Sequence, residues 1–170
     1  MPAHPVRAGR QPRKSSLPAI LTNTPGSPFR KGGVVHRGDL EVSSRKIEDL
    51  IPEMQVLAIA FKNEMARQGI DFIFTCTFRS QLEQDQLFEQ GRSKPGRIVT
   101  WTRNSKHIQR EAFDIAVLKN GKITWYADDY KRPGKIGTDL GLNWGGSWKK
   151  AKDYPHFEYN GTGTDKYGVA

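Results

Sequence analysis

Three features of the chain predict an α+β fold, with helices packed beside a small antiparallel sheet. Met54, Leu57, Phe61 and Met65 recur at helical spacing between Pro52 and Gly69. The run IDFIFTCT that follows is aromatic and β-branched, the composition of a buried strand. Further on, AFDIAVLKNGKITWYA sets two β-rich runs around Asn120-Gly121, a hairpin signal.

Taken in order, the ordered part is expected to begin near Ser43 with a short turn over residues 44–50. A helix tolerates proline only in its first turn, so Pro52 marks the start of a helix running to about residue 68, and Gly69 suits its C-terminal cap. After the strand, Ser80 and Glu83 form Ser-x-x-Glu, a capping box opening a helix that reaches Gly91. GRSKPGRIVTWTRN is a loop around Pro95 and Gly96. Beyond the hairpin come a short helix over 134–141, the WGGSW segment, and a last strand starting near His156. There is no internal repeat.

At 170 residues the chain holds one domain with a proper core. No apolar run approaches the roughly 18 residues that span a bilayer. The N-terminal stretch lacks an uninterrupted apolar region, so no cleavable signal is expected. The single cysteine, Cys76, excludes an internal disulfide, fits a reducing compartment, and reads as a small buried hydrophobe more than a reactive thiol.

The net charge of +9 is uneven, because residues 1–40 hold seven Lys and Arg against Asp39 alone. That stretch is also rich in Pro, Gly and Ser. It reads as a flexible basic arm over 1–42, followed by the ordered domain over 43–170. Such an arm favours any polyanion, whether nucleic acid, an anionic membrane surface or a cell-wall polymer, and by itself chooses none. The ordered part carries little excess charge and no nucleic-acid motif, so no specific nucleic-acid partner is expected, and a monomer is.

The polar residues of the sheet carry the chemistry. Asp114 lies mid-strand between Phe113 and Ile115, where an unpaired carboxylate is costly and needs a cation or donors. His107 stands in the loop leading to it, and KDYPHFEY supplies Asp153 and His156. Two imidazoles and a carboxylate converging from neighbouring strands make a three-ligand Zn²⁺ site with an open fourth position, the catalytic arrangement. The His-x₆-Asp spacing alone is a weak signal and leaves a chance pairing open.

Longer matches narrow the choice. SKHIQREAFD resembles the Ser-x-His-x-x-Gly-x-Ala-x-Asp signature of the VanY-like zinc D,D-carboxypeptidases and L,D-endopeptidases, and DYPHFE resembles their second signature. FRSQLEQDQLFEQGRSKPGRIVT and DLGLNWGGSW are similar to further segments of that family, so the resemblance spans about residues 43–160. The phage L-alanyl-D-glutamate peptidases, which are endolysins, look most similar.

The resemblance implies a Hedgehog/D-Ala-D-Ala-peptidase-like fold, with His107, Asp114 and His156 as zinc ligands and Asp153 as catalytic base. It implies that Arg79 faces the cleft, where a guanidinium would hold a substrate carboxylate or stabilise an oxyanion. Ser105 is a candidate for hydrogen bonding to the ligand histidine or to substrate, with a plain loop role left open. Trp144 and Trp148 are expected to wall the core and cleft. One position departs from the pattern: the family's glycine falls at Arg110, which puts the path of that loop in question.

The implied activity is hydrolysis of peptidoglycan stem peptides, at the L-Ala–D-Glu bond, by an enzyme made in a host cytoplasm that reaches the wall once the membrane is breached. A D-Ala-D-Ala carboxypeptidase with the same site and a non-catalytic wall-binding or virion module are the alternatives.

Overall fold

The computed structural model describes residues 42–162. The basic arm expected over 1–42 lies outside them but for its last residue, as do residues 163–170. Helix α1 spans Pro52–Arg67, β1 Phe72–Cys76 and α2 Gln81–Glu89. The hairpin is β2 (Ala112–Lys119) and β3 (Lys122–Thr124), followed by α3 (Lys131–Asp139), β4 (Leu142–Trp144) and β5 (His156–Tyr159). The strands form one antiparallel sheet in the order β1-β2-β5-β4, with β3 paired to the far end of β2. This is the predicted α+β architecture.

The helical repeat is the core face of α1, where Met54, Leu57, Phe61 and Met65 are fully buried. They pack on Phe113, Ile115 and Val117 of β2 and Phe157 of β5. Phe61 is central, its ring centroid 4.9 Å from that of Phe157, 5.4 Å from Phe113 and 5.6 Å from Phe72. Each such side chain contributes about 1.5–3 kcal/mol on burial. At the hairpin tip Asn120 and Gly121 have φ of 50° and 71°, the left-handed pair that a two-residue turn requires.

Three local expectations are revised. Only half of the capping box forms: Ser80 Oγ accepts from Glu83 N at 3.2 Å, while Ser80 N donates to Ser43 Oγ at 3.1 Å. Ser43 thus replaces the reciprocal glutamate. Helix α3 begins at Lys131 instead of 134, because Pro133 fits its first turn and a 3₁₀ turn over Ala127–Tyr130 leads in. Leu142–Trp144 is a strand, made so by pairing with β5 (Leu142 with Tyr159, Trp144 with Phe157).

Candidate metal centre

Strand alternation delivers the site. On β2, Phe113, Ile115 and Val117 enter the core, so Asp114 faces the other way. On β5, Phe157 enters the core while His156 and Glu158 share the opposite face. The register sets Asp114 directly across from His156 and Ala112 across from Glu158. From the other side, a bulge between Phe74 and Cys76 brings Cys76 opposite Asp114.

His107 comes from the turn before β2. Ser105 Oγ accepts from His107 N at 3.3 Å, and Arg79 N and Arg110 N both donate to His107 O at 3.2 Å. The imidazole is 2% exposed. Its Nε2 stands 3.1 Å from Asp114 Oδ1, and His156 Nδ1 stands 3.0 Å from the same oxygen. The ring centroids of the two histidines are 5.1 Å apart. Ligands about 2.0–2.1 Å from a tetrahedral zinc are separated by about 3.3 Å, which each histidine–aspartate spacing matches, while the two imidazoles must draw together to share one ion. His156 Nε2 lies 3.2 Å from Glu158 Oε2, the carboxylate backing that orients a metal-binding imidazole. His107 Nδ1 is buried with no hydrogen-bond partner.

The charges are strongly coupled. Burial alone would raise the Asp114 carboxyl, but the His107 and His156 imidazoles beside it hold it well below the usual carboxylate range. Burial pulls His156 down, while hydrogen bonds with Asp114 and Glu158 win and raise it to about 9. A negative pocket of this kind holds a cation, whether a proton or a metal ion.

Among the described residues, the donor set whose atoms all lie within 4.8 Å of one another is Cys76, His107 and Asp114, without His156. Cys76 is half-buried beside the site rather than packed as a core hydrophobe, and burial pushes its thiol up to about 12. Its sulfur is 3.7 Å from Phe78 O and 3.6 Å from an Arg79 nitrogen. His156, with its second nitrogen on Glu158, is the better third donor.

Arg79 is more enclosed than an oxyanion clamp needs. One terminal nitrogen lies 3.6 Å from Asp114 Oδ2 and the other donates to Gln84 Oε1 at 3.0 Å. The guanidinium therefore braces the oxygen of Asp114 that the histidines leave free, and it also lines the cleft. Asp153 precedes β5, its backbone N donating to Gly145 O at 3.1 Å and its O accepting from His156 N at 3.3 Å. A Cβ at Gly145 would meet Asp153 O at 2.4 Å, so only glycine allows this approach. Crowding by the protein, then the Asp114 charge, pushes the Asp153 carboxyl up, toward the range useful for a base.

Arg110, where the family has glycine, adopts the left-handed backbone after all, with φ 62°. Its guanidinium stacks 3.9 Å above the Phe78 ring and donates to Asp49 O at 2.8 Å, and its own O accepts from Ile51 N at 3.1 Å. These contacts hold Arg110 in that conformation.

All six expected site residues, Arg79, Ser105, His107, Asp114, Asp153 and His156, line one cleft of about 770 Å³. Trp148 lines it too, 5.3 Å from the His156 ring. Trp144 packs inside, its Nε1 donating to Tyr154 O at 2.9 Å. The sequence reading missed Glu158 and Gln84. The signal for Glu158 was its place two residues after His156 on a strand, hence on the same face.

An antiparallel sheet that presents two histidines and an aspartate beside a second carboxylate is a donor set suited to a metal-dependent hydrolase. A family model described as D-alanyl-D-alanine carboxypeptidase matches residues 99–159, the stretch holding all three donors and Asp153. The chain belongs to this family of VanY-like D,D-/L,D-peptidases. It is 43% identical over 122 residues to the peptidoglycan L-alanyl-D-glutamate endopeptidase CwlK of Bacillus subtilis, covering 65% of this chain and 73% of that protein. It is 31% identical over 105 residues to the L-alanyl-D-glutamate peptidase of Listeria phage A118, covering 59% of this chain and 35% of the phage protein. The crystal structure of the Serratia marcescens L-Ala D-Glu endopeptidase ChiX shares the fold, with a TM-score of 0.56 at 20% identity over 72% of this chain and 87% of that one.

Proposed function

We propose that this chain is a zinc-dependent peptidoglycan peptidase that hydrolyses the L-Ala–D-Glu bond of the stem peptide. The observation that carries the reading is the convergence of His107 Nε2 and His156 Nδ1 on Asp114 Oδ1, with Glu158 behind His156. These three residues would hold Zn²⁺, which at such a site polarises the scissile carbonyl and acidifies a water molecule. Asp153 takes the proton of the attacking water and returns it to the leaving amine. Its raised pKa suits both transfers. Arg79 pairs with the second oxygen of Asp114 and aims it, and Ser105 fixes the His107 backbone. Glu158 holds the His156 ring in one orientation.

The bond assignment is supported by the two L-alanyl-D-glutamate peptidases to which the chain is similar. The family model's own description favours release of terminal D-Ala instead. Mass spectrometry of muropeptides after digestion decides between them: new N-terminal D-Glu is expected, and loss of D-Ala alone overturns the reading. Among the described residues no helix is long and apolar enough to cross a membrane. The enzyme is read as made in the host cytoplasm and acting on the wall after the membrane is breached, as a monomer, with the basic arm adding affinity for anionic wall or membrane surfaces.

A further inference from the structure

The loop between α2 and the metal centre contains an exposure that the peptidase chemistry does not use. Trp101 is 71% exposed, yet it lines the same cleft as His107 and Asp114. Its neighbours in the chain are tied down on both sides. Gln84, 0% exposed, donates from Nε2 to Thr102 O at 2.7 Å and to Thr100 Oγ1 at 3.1 Å. Arg92 donates to Thr100 O at 3.1 Å, and Gln81 donates to Arg103 O at 3.1 Å. The Arg92 guanidinium, already stacked 3.9 Å over Phe88, stands 5.6 Å from the Trp101 ring. Four hydrogen bonds thus hold rigid a loop whose central indole stands in water. An indole that is 71% exposed beside a cleft, with Arg92 as its ring neighbour, is an apolar surface that the energetics of burial favour covering.

The substrate chemistry says what would cover it. In peptidoglycan the L-Ala nitrogen is acylated by the lactyl group on the muramic acid ring. A bond cut after L-Ala therefore has a saccharide about one residue from the scissile carbonyl, within roughly 10 Å at about 3.8 Å per residue. The apolar C–H face of a pyranose ring matches an indole face. At a D-Ala–D-Ala bond the sugar would be several residues away and out of reach of this wall.

We propose that Trp101 is a saccharide-stacking platform, which receives the N-acetylated amino-sugar ring of the glycan strand while the stem peptide lies across the metal centre. This rests on the L-Ala–D-Glu reading above. Val99, 54% exposed and lining the same cleft, extends the apolar wall.

The test uses the full, zinc-loaded chain and two substrates with one stem peptide. One is N-acetylated at L-Ala, and the other carries the GlcNAc–MurNAc disaccharide there. The wild type is expected to cleave the glycosylated substrate with the higher kcat/KM. In Trp101→Ala the ratio of kcat/KM between the two substrates should fall roughly tenfold, mostly through KM, because the contact is made before and during reaction alike. Trp101→Phe should restore much of the ratio. A disaccharide titration followed by calorimetry should show saturable binding that Trp101→Ala abolishes. An unchanged ratio in Trp101→Ala, or equal losses on both substrates, overturns the platform while leaving the peptidase reading intact. Failure of the wild type to cut L-Ala–D-Glu in either substrate overturns the peptidase reading, and the platform with it.

Discussion

Asp114 and Asp153 are both carboxylates of one cleft, and their surroundings assign them opposite work. Asp114 is enclosed by His107, His156 and Arg79, and the two histidines outweigh burial and keep it ionised. Asp153 is pushed toward its neutral form by crowding and by the Asp114 charge. Asp153→Asn is therefore expected to stay folded and bind zinc while turnover of muropeptides falls about 10²–10⁴-fold, the usual loss of a general base. Asp114→Asn should lose zinc and activity together, since two ligands hold the ion poorly. Zinc content by elemental analysis, run beside turnover, separates the pair. Glu158 acts only through His156, so Glu158→Gln should weaken zinc about 10–100-fold in a chelator competition. An unchanged zinc affinity would show that the His156–Glu158 contact orients nothing.

Tyr130 joins Asp129, which accepts from Thr124 Oγ1 at 2.6 Å and pairs with Lys119, in fastening the hairpin to the helix after it. Tyr130 Oη donates to Thr124 O at 3.0 Å and accepts from Val117 N at 3.4 Å, which fastens the start of α3 to β2 and β3. Burial is the main reason its pKa rises to about 12. The folded value lies above the unfolded one, near 10, so the stability that Tyr130 contributes is complete below pH 10 and lost between about 10 and 12. A tyrosinate absorbance titration should show one of the five tyrosines ionising late, near pH 12, and that step should vanish in Tyr130→Phe. The same variant should lose about 1–2 kcal/mol in denaturant melts, because a buried carbonyl and amide lose their partner. Loop elements carry strain as well as order: Arg110 sits at φ 62° beside the ligand turn, held there by Phe78 and Asp49.

Across the whole chain, charge and catalysis are separated along the sequence. Residues 1–40 hold six of the nine net positive charges, and the candidate site lies wholly within 79–158. Deleting residues 1–40 is expected to leave cleavage of small soluble muropeptides nearly intact. Action on whole anionic walls should weaken, most of all at low salt, where screening is least. Turbidity and muropeptide assays at two salt concentrations check this, and equal losses on both substrates would make the arm part of the catalytic unit. The core responds differently. Phe61 touches three other aromatic rings, so its truncation would open a cavity shared by α1, β1, β2 and β5.

Elements written in local pattern were legible without coordinates. The α1 repeat, the Asn120-Gly121 turn and the Ser80 cap depend on residues close in sequence, and each stands where the sequence predicts it. The candidate ligands were legible for a different reason, since several separated segments resemble one family. The missed features depend on register and long-range pairing. Leu142–Trp144 is a strand because β5 lies beside it, and Ser43 rather than Glu83 completes the α2 cap from 37 residues away. Glu158 backs His156, and Cys76 faces Asp114 across a bulge. Strand register exchanges the two faces of a sheet with a slip of one residue, and no local composition encodes which residue of β5 lies opposite Asp114. The sequence by itself determined which side chains the site could draw on; tertiary pairing decided which of them meet.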